Sequence, residues 1–294
     1  MNILIAGSSG LIGTALKKNM NNRYKVYSLS RNPSENSDFY WNPKKDEFIW
    51  NHNIKLDVII NLCGEDISKK RWNKKFKKRI YDSRIKSTAI LSKKISNLEY
   101  KPKLFISSSA IGYYGNTNGE TVDEQSHPGD DFLAKLSVDW EKATLAAKDA
   151  KIRTIHLRTG IVLSANGGAL EKMLPAYKLG LGVIFGRGNQ LMNWISLEDV
   201  VSSIIFIIEK DNMHGAVNLV NPSQETNFNF SKTLGKLLNK KVFFKMPKWV
   251  AKLIFGEMAD SLFFSNTRVS PNYLEKNGFK YKNLKLEDNL KDLL

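Results

Sequence analysis

The chain has 294 residues, and 45 Lys and Arg against 29 Asp and Glu give it a formal net charge of +16. With 42% hydrophobic and 25% charged residues it has an ordinary globular composition, which excludes disordered, collagen-like and disulfide-scaffold classes. The single cysteine, Cys63, excludes an intrachain disulfide and any cysteine-built metal cluster, and the four histidines lack ligand spacing, so no metal is expected.

The most apolar run, residues 200–208, is nine residues with two serines, far short of the roughly 20 that a membrane-spanning helix needs. The N-terminal apolar run has no basic flank and is too short for a secretory signal. The expectation is a cytoplasmic protein with no membrane partner. Lysine is spread along the whole chain, so the positive charge reads as general composition and nucleic acid is not expected as a partner.

In chain order, residues 2–6 read as a short buried strand. The run Gly7-Ser8-Ser9-Gly10-Leu11-Ile12-Gly13 follows with G-x-x-G-x-x-G spacing, and then a helical pattern over 14–20. Strand, glycine turn, helix is the setting of a dinucleotide fingerprint. Gly7 lets the strand turn, Gly10 lets backbone approach a pyrophosphate, and Gly13 lets the helix pack on the sheet. The loop residues Ser9, Leu11 and Ile12 bring helix N-terminal N–H groups to the phosphates. A second strand, 24–29, leads into Ser30 and Arg31. An acidic residue there would bind a ribose 2′-hydroxyl. Arg31 instead offers a guanidinium to a 2′-phosphate, which favours NADP(H) over NAD(H), the competing reading being a surface arginine in a turn.

A third strand over 56–62 ends in Cys63-Gly64. The block from Lys69 to Arg79 holds eight basic residues in eleven, yet Trp72, Phe76 and Ile80 recur every four residues, so it reads as a helix with an apolar stripe and a wet basic face. Helical patterns over 73–96 and 131–147 alternate with strands over 103–107 and 153–158, and the fourth strand runs into Ser107-Ser108-Ser109. Such alternation predicts an α/β fold with a doubly wound parallel sheet covered on both faces.

Taken together, Gly7 to Gly13, Ser30-Arg31, Asn61 to Glu65, Arg71-Trp72, Asp82-Ser83-Arg84, Ser107 to Gly115, Arg158 to Leu163, Gly186-Arg187-Gly188, Trp194-Ile195-Ser196 and Arg268 to Pro271 resemble an established family. The chain resembles the extended (atypical) short-chain dehydrogenase/reductase superfamily. Within it, the resemblance is to the NAD(P)-dependent epimerase family proteins, which carry a C-terminal domain of unknown function. The resemblance implies a Rossmann sheet binding NADP(H), with a smaller, mostly helical C-terminal substrate part. It places the adenine-ribose phosphate on Ser30 and Arg31, and the ribose and nicotinamide side on Leu62, Cys63 and Gly64. Ser107, Arg84 and Arg158 would lie near the cofactor or the cleft.

That superfamily usually moves a proton with a tyrosine and a lysine one helical turn apart, plus a serine after the fourth strand. Ser109 matches the serine. The helix that should carry the pair has no tyrosine; Phe132 or Leu133 stands in its place, and neither can move a proton. Two substitutes are candidates: Tyr114 as an acid, if Arg158 lowers its pKa, and Glu65 as a base. The expected function is an NADP(H)-dependent oxidoreductase or epimerase-like enzyme on a small-molecule substrate. The alternative is an NADP(H)-binding protein with little catalysis, such as a redox sensor.

Residues 167–177 and 198–209 read as helices and 216–220 as a late strand rejoining the sheet, followed by helices over 228–238, 247–255 and 286–293. The expected organisation is an NADP-binding domain over 1–165, with 190–222 returning to it, and a substrate part over 166–294. The cleft would lie between them, and a homodimer is left open.

Overall fold

The computed structural model describes residues 1–31, 39–43, 45 and 47–294. Asn32 and Pro33, which follow Arg31 in the sequence, lie outside the described residues. The first half of the chain runs β1 (Asn2–Ala6), α1 (Leu11–Met20), β2 (Lys25–Leu29), β3 (Phe39–Asn42), β4 (Glu47–Trp50), β5 (Val58–Asn61), α2 (Lys74–Ser96), β6 (Leu104–Ala110), β7 (Thr121–Val122), α3 (Phe132–Lys142), α4 (Leu145–Asp149) and β8 (Arg153–Thr159). The second half adds β9 (Ile161–Leu163), α5 (Gly168–Lys178), β10 (Val183–Phe185), β11 (Leu191–Met192), β12 (Trp194–Ser196), α6 (Leu197–Glu209), β13 (Gly215–Leu219), β14 (Glu225–Thr226), α7 (Asn227–Leu237), β15 (Phe244–Met246), α8 (Lys248–Phe255), α9 (Met258–Phe263), β16 (Arg268–Val269), α10 (Asn272–Lys276) and α11 (Leu286–Leu293).

Six strands form one parallel sheet in the order β13-β8-β6-β5-β1-β2. The chain leaves β1 for β2 on one side and returns to β5 on the other. That reversal opens a crevice above the carboxyl ends of β1 and β5, where ligands of such sheets bind. The sheet is doubly wound. Ile3, Ile5, Ile60, Ile106 and Leu157 face Leu16 and Met20 of α1 and Val200, Ile204 and Ile207 of α6. Leu4, Ile59 and Phe105 face the other way, against Leu91 and Ile95 of α2 and Ala147 of α4. Burial on both faces explains why these strands are continuous apolar runs without alternation.

Trp72, Phe76 and Ile80 are buried in one cluster with Leu133 and Leu136, while Lys70, Lys74 and Lys75 stay exposed. Lys74 to Arg79 of the basic block thus lie on the first turns of α2, with Lys69 to Arg71 in the segment before it. Two features depart from the sequence reading. The expected helix 131–147 is two helices, because the Thr144 hydroxyl donates to the Glu141 carbonyl (2.7 Å) and meets Nε2 of His156 (2.9 Å). Side-chain bonding of this kind competes with helical hydrogen bonds. The segment after β2 also carries an antiparallel hairpin, β3 with β4, which buries Phe39, Trp41 and Trp50 over the same core.

The C-terminal residues do not fold apart from the sheet. Leu274 and Phe279 pack into the cluster under α6, and Leu286 and Leu290 of α11 join Phe230 and Leu234 of α7. Short pairs, β9 with β12 and β7 with β16, stitch the two halves of the chain.

A very tight contact lies between the glycine loop and α1. A Cβ on Gly13 would stand 2.4 Å from the Gly7 carbonyl oxygen and 2.7 Å from the Ser8 Cα. The Gly13→Ala variant is expected to lose about 1–3 kcal/mol of stability through overpacking, measured by urea unfolding without added nucleotide.

Candidate active site

The glycine loop sits at the mouth of the crevice. Gly7 has φ +82°, a conformation that side chains rarely adopt, and a Cβ there would meet the Leu62 carbonyl carbon at 2.9 Å. Gly10 differs. Its φ of −77° and ψ of 173° suit any residue, and an added Cβ would touch only the Gly7 oxygen, at 3.4 Å. Neither backbone strain nor packing against this protein requires glycine at 10. The room that its missing side chain leaves is exposed, at the start of α1. That helix has no side-chain cap and no acidic residue in its first turn. Its terminal N–H groups and positive dipole end therefore face the crevice, the arrangement that takes a phosphate. Ser9 is exposed beside them, while the Leu11 side chain packs against Gly167 and Ile12 joins the core.

The next ring of the crevice comes from the ends of β2 and β5. Ser30 is half-buried and Arg31 exposed, and among the described residues no carboxylate pairs with Arg31. Burial pushes the Cys63 thiol up to about 12, and the charge of Arg31 acts against that push. The Leu62 N–H donates to the Ala6 carbonyl (2.9 Å), and the Cys63 N–H to Oδ1 of Asn61 (3.2 Å), which fixes the turn. A Cβ on Gly64 would stand 3.0 Å from the guanidinium carbon of Arg84. Arg84 lies over the Trp140 ring, 5.0 Å from its centroid, and donates only long bonds to the Ile80 carbonyl (3.3 Å) and Ser83 Oγ (3.4 Å). Burial lowers its pKa to about 10, and no carboxylate bonds to it among the described residues. Glu65, the candidate base, is tied to Arg79 in a two-armed ion pair.

The floor is a buried polar network on the α3 side of the sheet. Ser107 and Ser109 point to one face of β6, as His156 and Arg158 do on β8, and Ser109 is the register partner of Arg158. Ser107 is fully buried, its hydroxyl on the Ser108 carbonyl (3.3 Å). Ser109 Oγ donates to Oε1 of Glu141 (2.8 Å). Arg158 grips that carboxylate with Nε and Nη2 (2.8 and 2.9 Å), and Nη1 donates to the Tyr114 hydroxyl (3.0 Å). The Tyr114 hydroxyl donates to Oδ1 of Asn218 (2.7 Å), and the Arg158 guanidinium carbon lies 3.4 Å from the Tyr113 ring centroid.

The electrostatics correct one expectation. Desolvation pushes the Tyr114 phenol up to about 12, and the Arg158 charge only partly offsets it. Tyr114 does not gain the lowered pKa that an acid near neutral pH would need, because the penalty of burying a phenolate outweighs the Arg158 charge and hydrogen bond. Despite its burial, Glu141 sits below the usual carboxylate range through its bonds to Arg158. Burial lowers His156 to about 4 and keeps it neutral.

Ser109, Tyr114 and Arg158 thus meet in one network completed by Glu141 and Asn218, with Ser107 on the same face of β6; sequence reading gave neither Glu141 nor Asn218 a site role. Each left a signal. Glu141 is four residues after Ser137 and eight after Leu133, on the buried stripe of α3, and Asn218 interrupts the apolar run of β13. A polar group in such a place is paired inside.

The family model described as NAD dependent epimerase/dehydratase family matches residues 3–220, and a Domain of unknown function (DUF1731) matches 246–293. The chain belongs to the NAD dependent epimerase/dehydratase family. It is 39% identical over 281 residues to Epimerase family protein Mb2239 of Mycobacterium bovis, covering 95% of this chain and 93% of that one. Epimerase family protein SDR39U1 of Homo sapiens is 33% identical over the full length of both. A crystal structure of the human protein (isoform2) with NADPH superposes with a TM-score of 0.89 at 31% identity, covering 100% of this chain and 99% of that one. A UDP-glucuronic acid 4-epimerase from Bacillus cereus, at 17% identity and TM-score 0.76, shares the fold.

Two outcomes follow from this geometry. The Gly10→Ala variant is expected to unfold at the wild-type temperature while NADPH affinity, read by calorimetry, falls about tenfold or more, since the new methyl enters the phosphate's space. For His156, the unfolded ring takes its proton near pH 6.5 and the folded ring only near 4, so the fold loses stability as pH falls through that window, by about 3 kcal/mol from this residue. Urea titrations at pH 7 and pH 4 should show a smaller acid loss in His156→Gln.

Proposed function

We propose that the protein is an NADP(H)-dependent oxidoreductase or epimerase-like enzyme acting on a small molecule. The observation that carries this reading is Gly10, a glycine that its own protein does not need, at the uncapped start of a helix above the sheet's crossover point. The human relative crystallised with NADPH supports the choice of cofactor, and Arg31 supports the 2′-phosphate. Gly7, Ser9, Gly10, Leu11, Ile12 and Gly13 would hold the pyrophosphate through backbone N–H groups. Ser30 and Arg31 would take the adenosine phosphate, and Leu62, Cys63, Gly64 and Ser107 the path to the nicotinamide. Arg84, whose donors are poorly used by the protein, would meet a phosphate or ribose oxygen there. Bound NADPH would supply a hydride.

Ser109 is the residue proposed to hold a substrate oxygen, with Glu141 accepting its hydrogen bond and fixing its rotamer. Tyr114 is proposed as a positioning residue that anchors Arg158, in place of the acid role. Residues 166–294 supply the substrate side. A cytoplasmic site suits the single thiol, which is half-buried and protonated.

A second reading, a cofactor-binding protein with little catalysis, is favoured by the same network. Glu141 and Arg158 satisfy each other, and Tyr114 holds its proton to about pH 12. Turnover separates the two readings: NADPH oxidation against a panel of small carbonyl compounds, abolished in Ser109→Ala, supports the enzyme, and tight binding with no turnover supports the sensor.

Arg31 carries its own test. Arg31→Ala should weaken NADPH about 10- to 100-fold and leave NADH unchanged, the loss of one charge-assisted phosphate contact. Equal loss for both nucleotides, or none for either, would remove Arg31 from the site.

A further inference from the structure

Residues 226–256 contain seven lysines and no Asp or Glu. Lys236 reaches out to Glu287, and Lys248 and Lys252 to Asp260. Lys232 bonds the Val242 carbonyl. Lys240, Lys241 and Lys245 are exposed and have no carboxylate partner among the described residues.

The same segment turns large apolar side chains outward. In α8, Ala251 is buried and Phe255 packs inward beside Trp72 and Met258. Trp249 and Leu253, one turn apart on the opposite side, are 71% and 70% exposed, and Ile254 flanks them. Phe243 and Phe244, just ahead, are exposed with ring centroids 4.7 Å apart. Pro247 joins the Phe pair to the helix, so five apolar side chains and three free ammonium groups come from fifteen consecutive residues. Contiguous exposed apolar groups on a folded chain mark a contact surface.

We propose that this surface, Lys240 to Ile254, docks on an anionic lipid bilayer. The occupant follows from charge and from shape. A second copy in a symmetric pair would set the same lysines against each other, on molecules that each carry +16. Nucleic acid would pair the lysines but give Leu253 and Ile254 no hydrocarbon. A bilayer interface supplies both layers: headgroup phosphates for ammonium groups at the ends of flexible stems, and acyl chains for Trp249, Leu253 and the two phenylalanines. The chain would lie on the surface, since among the described residues no helix is long and apolar enough to cross it. This proposal runs against the expectation of no membrane partner and is independent of the nucleotide site.

The test is co-sedimentation of the full chain with vesicles of phosphatidylcholine alone and of phosphatidylcholine mixed with phosphatidylglycerol. The expected result is binding to the mixed vesicles only, weakened by added salt. Trp249→Ser with Leu253→Asp, and separately Lys240→Glu with Lys241→Glu, should each reduce it by about tenfold or more, with unchanged melting curves showing intact folds. Absence of binding to the mixed vesicles overturns the proposal. So does retention on heparin that the Trp249/Leu253 variant leaves untouched together with the vesicle binding, which would mark plain polyanion attraction. A concentration-dependent dimer lost in that variant would assign the face to a second copy instead.

Discussion

Everything at this site depends on how closely α1 approaches the ends of β1 and β5. The contact is backbone on backbone: the Gly7 carbonyl lies where a Gly13 side chain would be, and the Leu62 peptide lies where a Gly7 side chain would be. Only hydrogen at both positions lets the helix begin directly above the sheet's crossover point. From there its unpaired N–H groups face the crevice, and the helix dipole adds to the field of those groups. Moving α1 outward by the width of a methyl group would leave the core apolar but would separate the phosphate-binding end from the β5 turn that carries Cys63 and Gly64.

The second constraint is electrostatic and lies deeper. Family enzymes that use a tyrosine and a lysine keep a proton donor tunable in the crevice. Here the equivalent helix carries Glu141, and the facing strand carries Arg158. Joined by two short hydrogen bonds in a buried place, they hold each other's charge fixed. Around them Ser109 is satisfied by Glu141, and the Tyr114 hydroxyl by Asn218. Such a network is rigid and exchanges protons near neutral pH poorly; on the proposed reading it would orient a substrate oxygen. The departure from the tyrosine–lysine pattern is therefore a substitution of one rigid polar framework for a titrating one.

The parts of the fold legible in the sequence are those set by short-range pattern. Strands β1, β5, β6 and β8 are apolar runs bounded by glycine or serine, and α2 has its stripe at Trp72, Phe76 and Ile80. The glycine loop was legible because its spacing is a backbone requirement. What was not legible depended on distant partners. The β3–β4 hairpin follows from aromatic side chains finding the α2 core, and the break after α3 follows from Thr144 meeting His156 across the sheet. The Tyr114 environment was legible only in part for the same reason. Its neighbour Arg158 was visible, but the carboxylate that cancels Arg158 sits 17 residues away, on a different element.

The arginines of the crevice divide by whether the protein has already neutralised them. Arg158 is held by a carboxylate and covered by two tyrosine rings, so its charge is spent inside the fold. Arg84 has a ring face and two long bonds but no carboxylate. Arg31 has neither among the described residues and stays in solvent, where its field still reaches the Cys63 thiol. A ligand anion gains most from a cation whose pairing costs no existing bond, and it loses least desolvation at the rim. On the proposed NADP(H) reading, that order would put phosphate selection at Arg31, leave Arg84 for an oxygen nearer the nicotinamide, and keep Arg158 as framework. The position of charge along the crevice thus follows from which carboxylates the fold has brought near, a property of packing that residue type alone does not disclose.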